Sequence, residues 1–314
     1  MFMAYYLLPK NLPPSFDVLI PFHQFASELV TELARLKIKI LFQNEKIFLV
    51  EAVVTKPIWA QDWWPNSTRI LLEGKTQAVR FLKSHANFGH YATAEDSKIG
   101  KSLLKEIKNL EKKRIELGSL FKFSYFSWTV IGDSLIFCEK PYSRFPSGWH
   151  EFNEDKTFPP NRAYLKLWEL FTVHNLPLDK SASVIELGAS PGGWTWVLSQ
   201  RFKKVYSVDR ADLDKKIQKI SNIEHHIGDA FQVDCDQFKD CSWLFSDIIC
   251  TPQKAYDLIE YWMKNSRVKN YVCTIKFKGN CDFEILEKFL KIENSTVLHL
   301  YQNKNEVTWM WLAL

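Results

Sequence analysis

The sequence predicts an α/β fold: a Rossmann-like, mostly parallel sheet with an antiparallel C-terminal hairpin, preceded by a smaller N-terminal α+β domain. Three observations carry this. From residue 158 onward, apolar strand-like runs alternate with helical patterns, as in a sheet covered on both faces. The stretch Ser183–Trp194, SVIELGASPGGW, reads as strand, glycine-rich turn and helix start. An acidic residue, Asp209, closes the next strand about twenty residues later.

Composition sets the outer bounds. A chain of 314 residues with 46% apolar and 15% aromatic content is long enough for two domains with real cores. The six cysteines (Cys138, Cys235, Cys241, Cys250, Cys273, Cys281) are scattered without a C-x-x-C pair, so neither a zinc site nor a disulfide framework is expected, and a cytoplasmic setting is. The opening MFMAYYLLPK lacks a basic n-region and a cleavage pattern, and no apolar run is long enough to span a membrane. Charge is uneven: residues 1–150 hold 20 Lys/Arg against 14 Asp/Glu, and residues 151–314 hold 21 against 22. A basic N-terminal half suits a domain that delivers a polyanion, although an excess of this size is also common in ordinary domains.

The N-terminal domain is expected over residues 1–138. Ala4–Leu8, Lys37–Phe42 and Ile47–Val54 read as strands, the last two joined by Gln43-Asn44-Glu45, and Phe22–Leu36 has helical spacing. Ile58–Pro65, IWAQDWWP, concentrates three tryptophans, which suits core packing or a base-stacking platform. Lys98–Leu117 reads as one long helix, with Lys98, Lys101, Lys105, Lys108 and Lys112 on one face. That stripe is either a solvated face or a phosphate contact. Phe121–Phe126, Trp128–Ile131 and Ser134–Cys138 read as closing strands. Residues 139–157, rich in proline and aromatics, read as a packed linker.

The second domain is expected over residues 158–314. Its predicted elements are a helix at Pro160–Val173, a strand leading into Gly188, and a helix from Trp194. Strand Lys204–Val208, a helix near Ala211–Ile220, and strand Asn222–Ile227 leading to Gly228-Asp229-Ala230 follow. Strand Trp243–Ser246 ends at Asp247, then come helix Gln253–Lys264, strand Tyr271–Ile275 ending at Lys276, and helix Asp282–Ile292. Strands Thr296–Gln302 and Glu306–Leu312 form the hairpin.

The glycine turn lacks the G-x-G-x-x-G spelling, since Ser190 stands at the second glycine, and it lacks the Gly-Lys-Ser/Thr of a P-loop. It is expected to be a nucleoside-cofactor site. In such sheets the reactive groups gather beyond the carboxyl ends of the strands. Lys166, Asp247, Lys276 and Glu306 fall where the rule would put them or where the neighbouring helix and hairpin reach. Two lysines and two carboxylates form a charge-balanced set, in which a tuned lysine can take a proton from a sugar hydroxyl. The same residues also read as plain salt bridges tying strand ends together.

The runs RAYLKL (162–167), ELGASPGGW (186–194), SVD (207–209), GDAF (228–231), SD (246–247), TIK (274–276) and NEV (305–307) together resemble the FtsJ family of ribose 2′-O-methyltransferases. FPPNRAYLKLWELF, LYQNKNEVT and IWAQDWW are similar to its RlmM type, which acts on a cytidine ribose of 23S ribosomal RNA. The resemblance implies a class I methyltransferase sheet, S-adenosyl-L-methionine as cofactor and RNA as partner, with no metal. It implies a catalytic set of Lys166, Asp247, Lys276 and Glu306, with Lys276 accepting the proton. Gly188, Ser190, Pro191, Gly192, Gly193 and Trp194 would wrap the cofactor's methionine part, Asp209 its ribose and Asp229 its adenine, with Asp247 beside them. The likeness is weaker over residues 1–150, where the THUMP region of that type is not traced, and IICTPQK after Asp247 departs from the D-x-A-P of the wider family. Two rivals stand beside this reading: the same chemistry on a transfer RNA or mRNA cap, and a non-catalytic RNA-binding or ribosome-assembly factor.

Overall fold

In the computed structural model, residues 8–86, 88–119 and 124–313 are described. The chain divides into two units, Met1–Arg114 with Phe121–Glu151, and Ile115–Leu120 with Phe152–Leu314. Among the described residues no helix is long and apolar enough to cross a membrane.

The first unit is built on β1 (Phe16–Pro21), α1 (Ala26–Arg35), β2 (Ile40–Gln43), β3 (Phe48–Val50), β4 (Ala60–Leu71), α2 (Lys75–Lys83), β5 (Gly89–Tyr91), α3 (Lys98–Leu104), β6 (Phe126–Ile131) and β7 (Ser134–Cys138). The strands form one sheet in the order β2-β3-β1-β4-β7-β6-β5, antiparallel except for β5 beside β6. The strand expected at Ala4–Leu8 lies outside the described residues except for Leu8, as does much of Phe121–Phe126. β1 and the twelve-residue β4 are additions to the predicted elements.

The tryptophan cluster lies on β4 and the residues leading into it. Trp59 and Trp64 are fully buried, and Trp63 donates its indole N–H to Asp17 and packs on Tyr142 with ring centroids 5.5 Å apart. Asp62, between them, accepts from the backbone N–H of Trp63 and Ser143 and from the Trp64 indole. Burial pushes its carboxyl up to about 7 against those bonds. Two of the three rings are therefore core, and only Trp63 is partly open.

The long helix expected over Lys98–Leu117 is corrected: α3 stops at Leu104. Downstream backbone is used elsewhere, since Gly89 N–H donates to Lys108 O and Leu110 N–H to Gly89 O. A segment pairing with β5 cannot also close i→i−4 bonds, so tertiary pairing overrides the helical spacing. The five lysines consequently share no single helix face. Lys101 pairs with Asp96, and Lys108 lies 4.3 Å from the Phe88 ring centroid.

The second unit contains α4 (Tyr164–Thr172), β8 (Ser183–Leu187), α5 (Gly193–Arg201), β9 (Lys204–Asp209), α6 (Lys215–Gln218) and β10 (Ile223–Ile227). It continues with β11 (Cys241–Ser246), α7 (Pro252–Asn265), β12 (Asn270–Lys276), α8 (Phe283–Leu290), β13 (Ser295–Leu298) and β14 (Glu306–Leu312). Strand order is β10-β9-β8-β11-β12-β14-β13, parallel through β12 and antiparallel on both sides of β14. This is the predicted Rossmann-like sheet with its antiparallel hairpin. From β8 the chain winds outward through β9 and β10, then returns to lay β11 and β12 on the other side. The crevice between β8 and β11 is therefore the topological switch point, where open α/β sheets bind ligands. The helix expected near Ala211–Ile220 shortens to α6, with Asp214 capping its start by accepting from Lys216 N–H at 2.8 Å.

Candidate active site

The switch point is opened by glycine. β8 ends at Leu187, and Gly188 turns the chain at φ +80°; a β-carbon there would lie 2.6 Å from Ile248 Cγ1 and 3.0 Å from its Cα. Only glycine lets the turn pass this close to the segment after Asp247. Ser190-Pro191 is a cis peptide, and Gly192 follows at φ +109°. A β-carbon on Gly193 would clash with Asn161 Oδ1, so α5 starts hard against the approach to α4. Trp194 continues that contact: its indole donates to Ala163 O at 2.9 Å, and its ring lies beneath Lys166 Nζ at 5.6 Å. Trp194 is buried against α4, forming a floor under the lysine.

Beyond the strand ends lies an open cavity of about 1170 Å³. Gly188, Asp209, Asp229, Lys276 and Glu306 line it, along with Phe231 and Ile249. Ser190, Pro191, Gly192, Gly193 and Trp194 form the turn and helix start beside it. Asp209, closing β9, accepts from Ser190 N–H and Ala211 N–H, both at 3.0 Å, and so ties the turn to the next strand end. Asp229 accepts from Phe231 N–H at 3.0 Å and pairs with Arg210 at 2.6 Å, and that guanidinium holds its carboxyl below the usual range. Phe231 and Ile249 are 41% and 86% exposed, an apolar pair on the cavity wall that suits a flat ring.

The four candidate catalytic residues form one connected network. Lys166 Nζ lies 2.8 and 2.9 Å from the two Asp247 carboxylate oxygens and 3.0 Å from Glu306 Oε1. Lys276 Nζ lies 2.9 Å from Asp247 Oδ1 and donates to Asp247 O at 2.8 Å. The elements dictate this convergence. Lys166 projects from α4, Asp247 follows the last residue of β11, and the β12–β14 register pairs Lys276 with Glu306. Burial alone would lower the Lys166 ammonium pKa, but Asp247 and Glu306 outweigh it and raise that pKa. Burial likewise pushes Asp247 up, and its two lysines more than reverse this. Lys166 is thus locked in its charged form between two carboxylates. Lys276 shares one carboxylate and faces the cavity.

Two buried acids escaped the sequence reading. Glu169, one turn beyond Lys166 on α4, is 1% exposed and accepts from Tyr301 N–H at 2.8 Å and Gln302 N–H at 3.0 Å. It fastens the turn that delivers Glu306, and the i, i+3 spacing of Lys166 and Glu169 is the signal that could have found it. Glu186, on β8, is fully buried, and its Oε2 has no hydrogen-bond partner among the described residues. Burial pushes its carboxyl up to about 8, and the Asp247 and Asp209 charges add to this. A charged residue in the middle of an otherwise apolar strand was the available signal.

A glycine turn at the switch point of a parallel sheet, with a lysine–carboxylate network beyond the strand ends, defines a Rossmann-like fold of the methyltransferase class. Residues 159–304 match the FtsJ-like methyltransferase family. It is 30% identical over 230 residues to the ribosomal RNA large subunit methyltransferase M of Vibrio vulnificus (strain YJ016), a match covering 67% of this chain and 60% of that relative. The protein of the same name from Shewanella woodyi is 29% identical over 174 residues, covering 49% of this chain and 48% of the relative. The chain therefore spans about half to three fifths of the length of these relatives. Among solved structures, an rRNA methylase from Streptococcus thermophilus is a distant likeness, at 16% identity and TM-score 0.35, covering 51% of this chain and all of that one.

Proposed function

We propose that this protein transfers a methyl group from S-adenosyl-L-methionine to a ribose 2′-hydroxyl of RNA, at a cytidine of 23S ribosomal RNA, in the cytoplasm. The observation that carries the reading is the shared carboxylate of Asp247, bound by one buried lysine and by one that faces the cavity. The relatives' name supplies the ribosomal large-subunit target. The basic N-terminal unit is assigned to RNA delivery.

The residues present fit the cofactor. The Gly188 turn gives backbone access to a methionine-like end, Asp209 retains acceptor capacity for ribose hydroxyls, and Phe231 and Ile249 offer apolar contact for an adenine. When bound, the sulfonium supplies a methyl carbon open to in-line attack. The chain's residues do the rest. Lys166, held charged by Asp247 and Glu306, would keep both carboxylates in place behind the acceptor ribose. Lys276, facing the cavity, would accept the 2′-hydroxyl proton, and Asp247 would balance the charge it gains. Glu306 keeps Lys166 from drifting toward solvent.

The test is methyl transfer from labelled cofactor to RNA of cells lacking the protein, with digestion to nucleosides. Label in 2′-O-methylcytidine of large ribosomal RNA is the expected result. Lys276→Ala should lower the rate by about 10²-fold or more, the usual contribution of a general base, while cofactor affinity stays near parental. Retention of most of the rate removes Lys276 from the base role. No label in free RNA or in immature large subunits, with cofactor binding intact, favours the non-catalytic rival.

A further inference from the structure

The β12–β14 ladder does not stop at the catalytic pair. Lys276 is opposite Glu306, and Phe277 N–H donates to Asn305 O at 3.0 Å, so the same register sets Lys278 opposite Lys304. Asn305 locks this extension, its side-chain amide donating to Phe277 O at 3.1 Å and Gly279 O at 2.5 Å. Phe277 is buried, whereas Lys278 and Lys304 are both exposed and both line the cavity.

Like charges set directly opposite on paired strands destabilise the pairing unless something answers them. Arg210, on the same cavity, is bound to Asp229, and Lys276 is bound to Asp247. Among the described residues no ion pair engages Lys278 or Lys304. Two unanswered ammonium groups therefore stand on a stapled turn, two residues beyond the lysine assigned to proton transfer. Their chemistry fits one phosphate oxygen each, or one phosphate between them.

We propose that Lys278 and Lys304 form a phosphate clamp on the cavity lip, gripping a backbone phosphodiester of the RNA beside the reacting ribose. This rests on the RNA-methyltransferase reading above and adds to it the residues that set the acceptor strand. The clamp is a positioning device: it touches the backbone, carries no sequence information, and fixes where the 2′-hydroxyl falls relative to Lys276.

The experiment uses the full chain as parent, as Lys278→Ala/Lys304→Ala and as Lys278→Arg/Lys304→Arg. A mixed-sequence single-stranded oligoribonucleotide is titrated at several salt concentrations, and methyl transfer to large-subunit ribosomal RNA is followed alongside. S-adenosylhomocysteine binding checks that the site is folded. In the alanine pair, oligonucleotide affinity should fall roughly ten-fold. The slope of log affinity against log salt should flatten by about 0.7 for each phosphate that is no longer neutralised. KM for RNA should rise by more than kcat falls, with S-adenosylhomocysteine affinity unchanged, and the arginine pair should restore binding. Parental RNA affinity and salt slope in the alanine pair overturn the clamp while leaving the methyltransferase reading intact. A parent that binds RNA through these lysines yet transfers no methyl keeps the clamp and overturns that reading. A parent without salt-dependent RNA binding overturns both.

Discussion

Glu186 offers a measurable signature of the buried environment behind the site. Its carboxyl is pushed up to about 8, from an ordinary value of 4.5, chiefly by burial. Because the folded-state value lies above the unfolded one, the folded chain holds this proton longer than the unfolded chain does. The stability it permits is complete below 4.5, falls as pH rises between 4.5 and 8, and is fully lost above that. Each unit of pH in that window costs about 1.4 kcal/mol, so the loss from pH 5 to pH 8 is about 4 kcal/mol. Glu186→Gln keeps the shape and removes the proton. Whatever constant offset the amide brings, the gap between variant and parent should grow in the variant's favour by about 4 kcal/mol over this range. Urea unfolding of both proteins at pH 5, 7 and 9, read from midpoints and slopes, measures that gap directly. Asp62, whose carboxyl is also raised, cancels because both proteins carry it. A gap that stays constant with pH refutes the assignment of a buried, proton-holding Glu186.

Other outcomes follow from the same geometry. Glu169→Ala should remove the acceptor for Tyr301 and Gln302 N–H, costing about 2–4 kcal/mol in unfolding free energy and lowering kcat more than cofactor affinity, as denaturation and single-turnover rates will show. Lys166→Met leaves Asp247 and Glu306 buried with one cation fewer and should destabilise the chain by about 3–5 kcal/mol, visible as a lower urea midpoint. Gly188→Ala forces a β-carbon against Ile248 at positive φ, and calorimetric titration should show weaker cofactor binding.

The second unit was largely legible because its signals are local. Glu306–Leu312 appears with the bounds its apolar run and flanking turns imply, as does Ser134–Cys138 in the first unit. The four network residues were found because each stands at the end of a strand or on the helix facing it. What escaped depends on partners distant in sequence. β4 is interrupted by Pro65 and by Asn66 at φ +52°, so twelve residues of strand read as a tryptophan cluster. The lysines of 98–117 kept helical spacing, yet the backbone beyond Leu104 pairs with Gly89. Glu169 is exposed as a fastener only once the Tyr301–Gln302 turn folds onto α4.

Strand order holds one more consequence. Glu306 comes late in the sequence, but its strand lies inside the sheet, with β12 on one side and β13 on the other. Fraying at the β13 margin would therefore spare it, and β13 has no place in the sheet until β14 has docked. A chain halted before residue 306 would still own the glycine turn, Asp209 and Asp247, while Lys166 would lack its second carboxylate. The glycine turn and the full charge network are thus completed by parts of the chain far apart in sequence. The protein completes its charge network only when its last strand settles against β12.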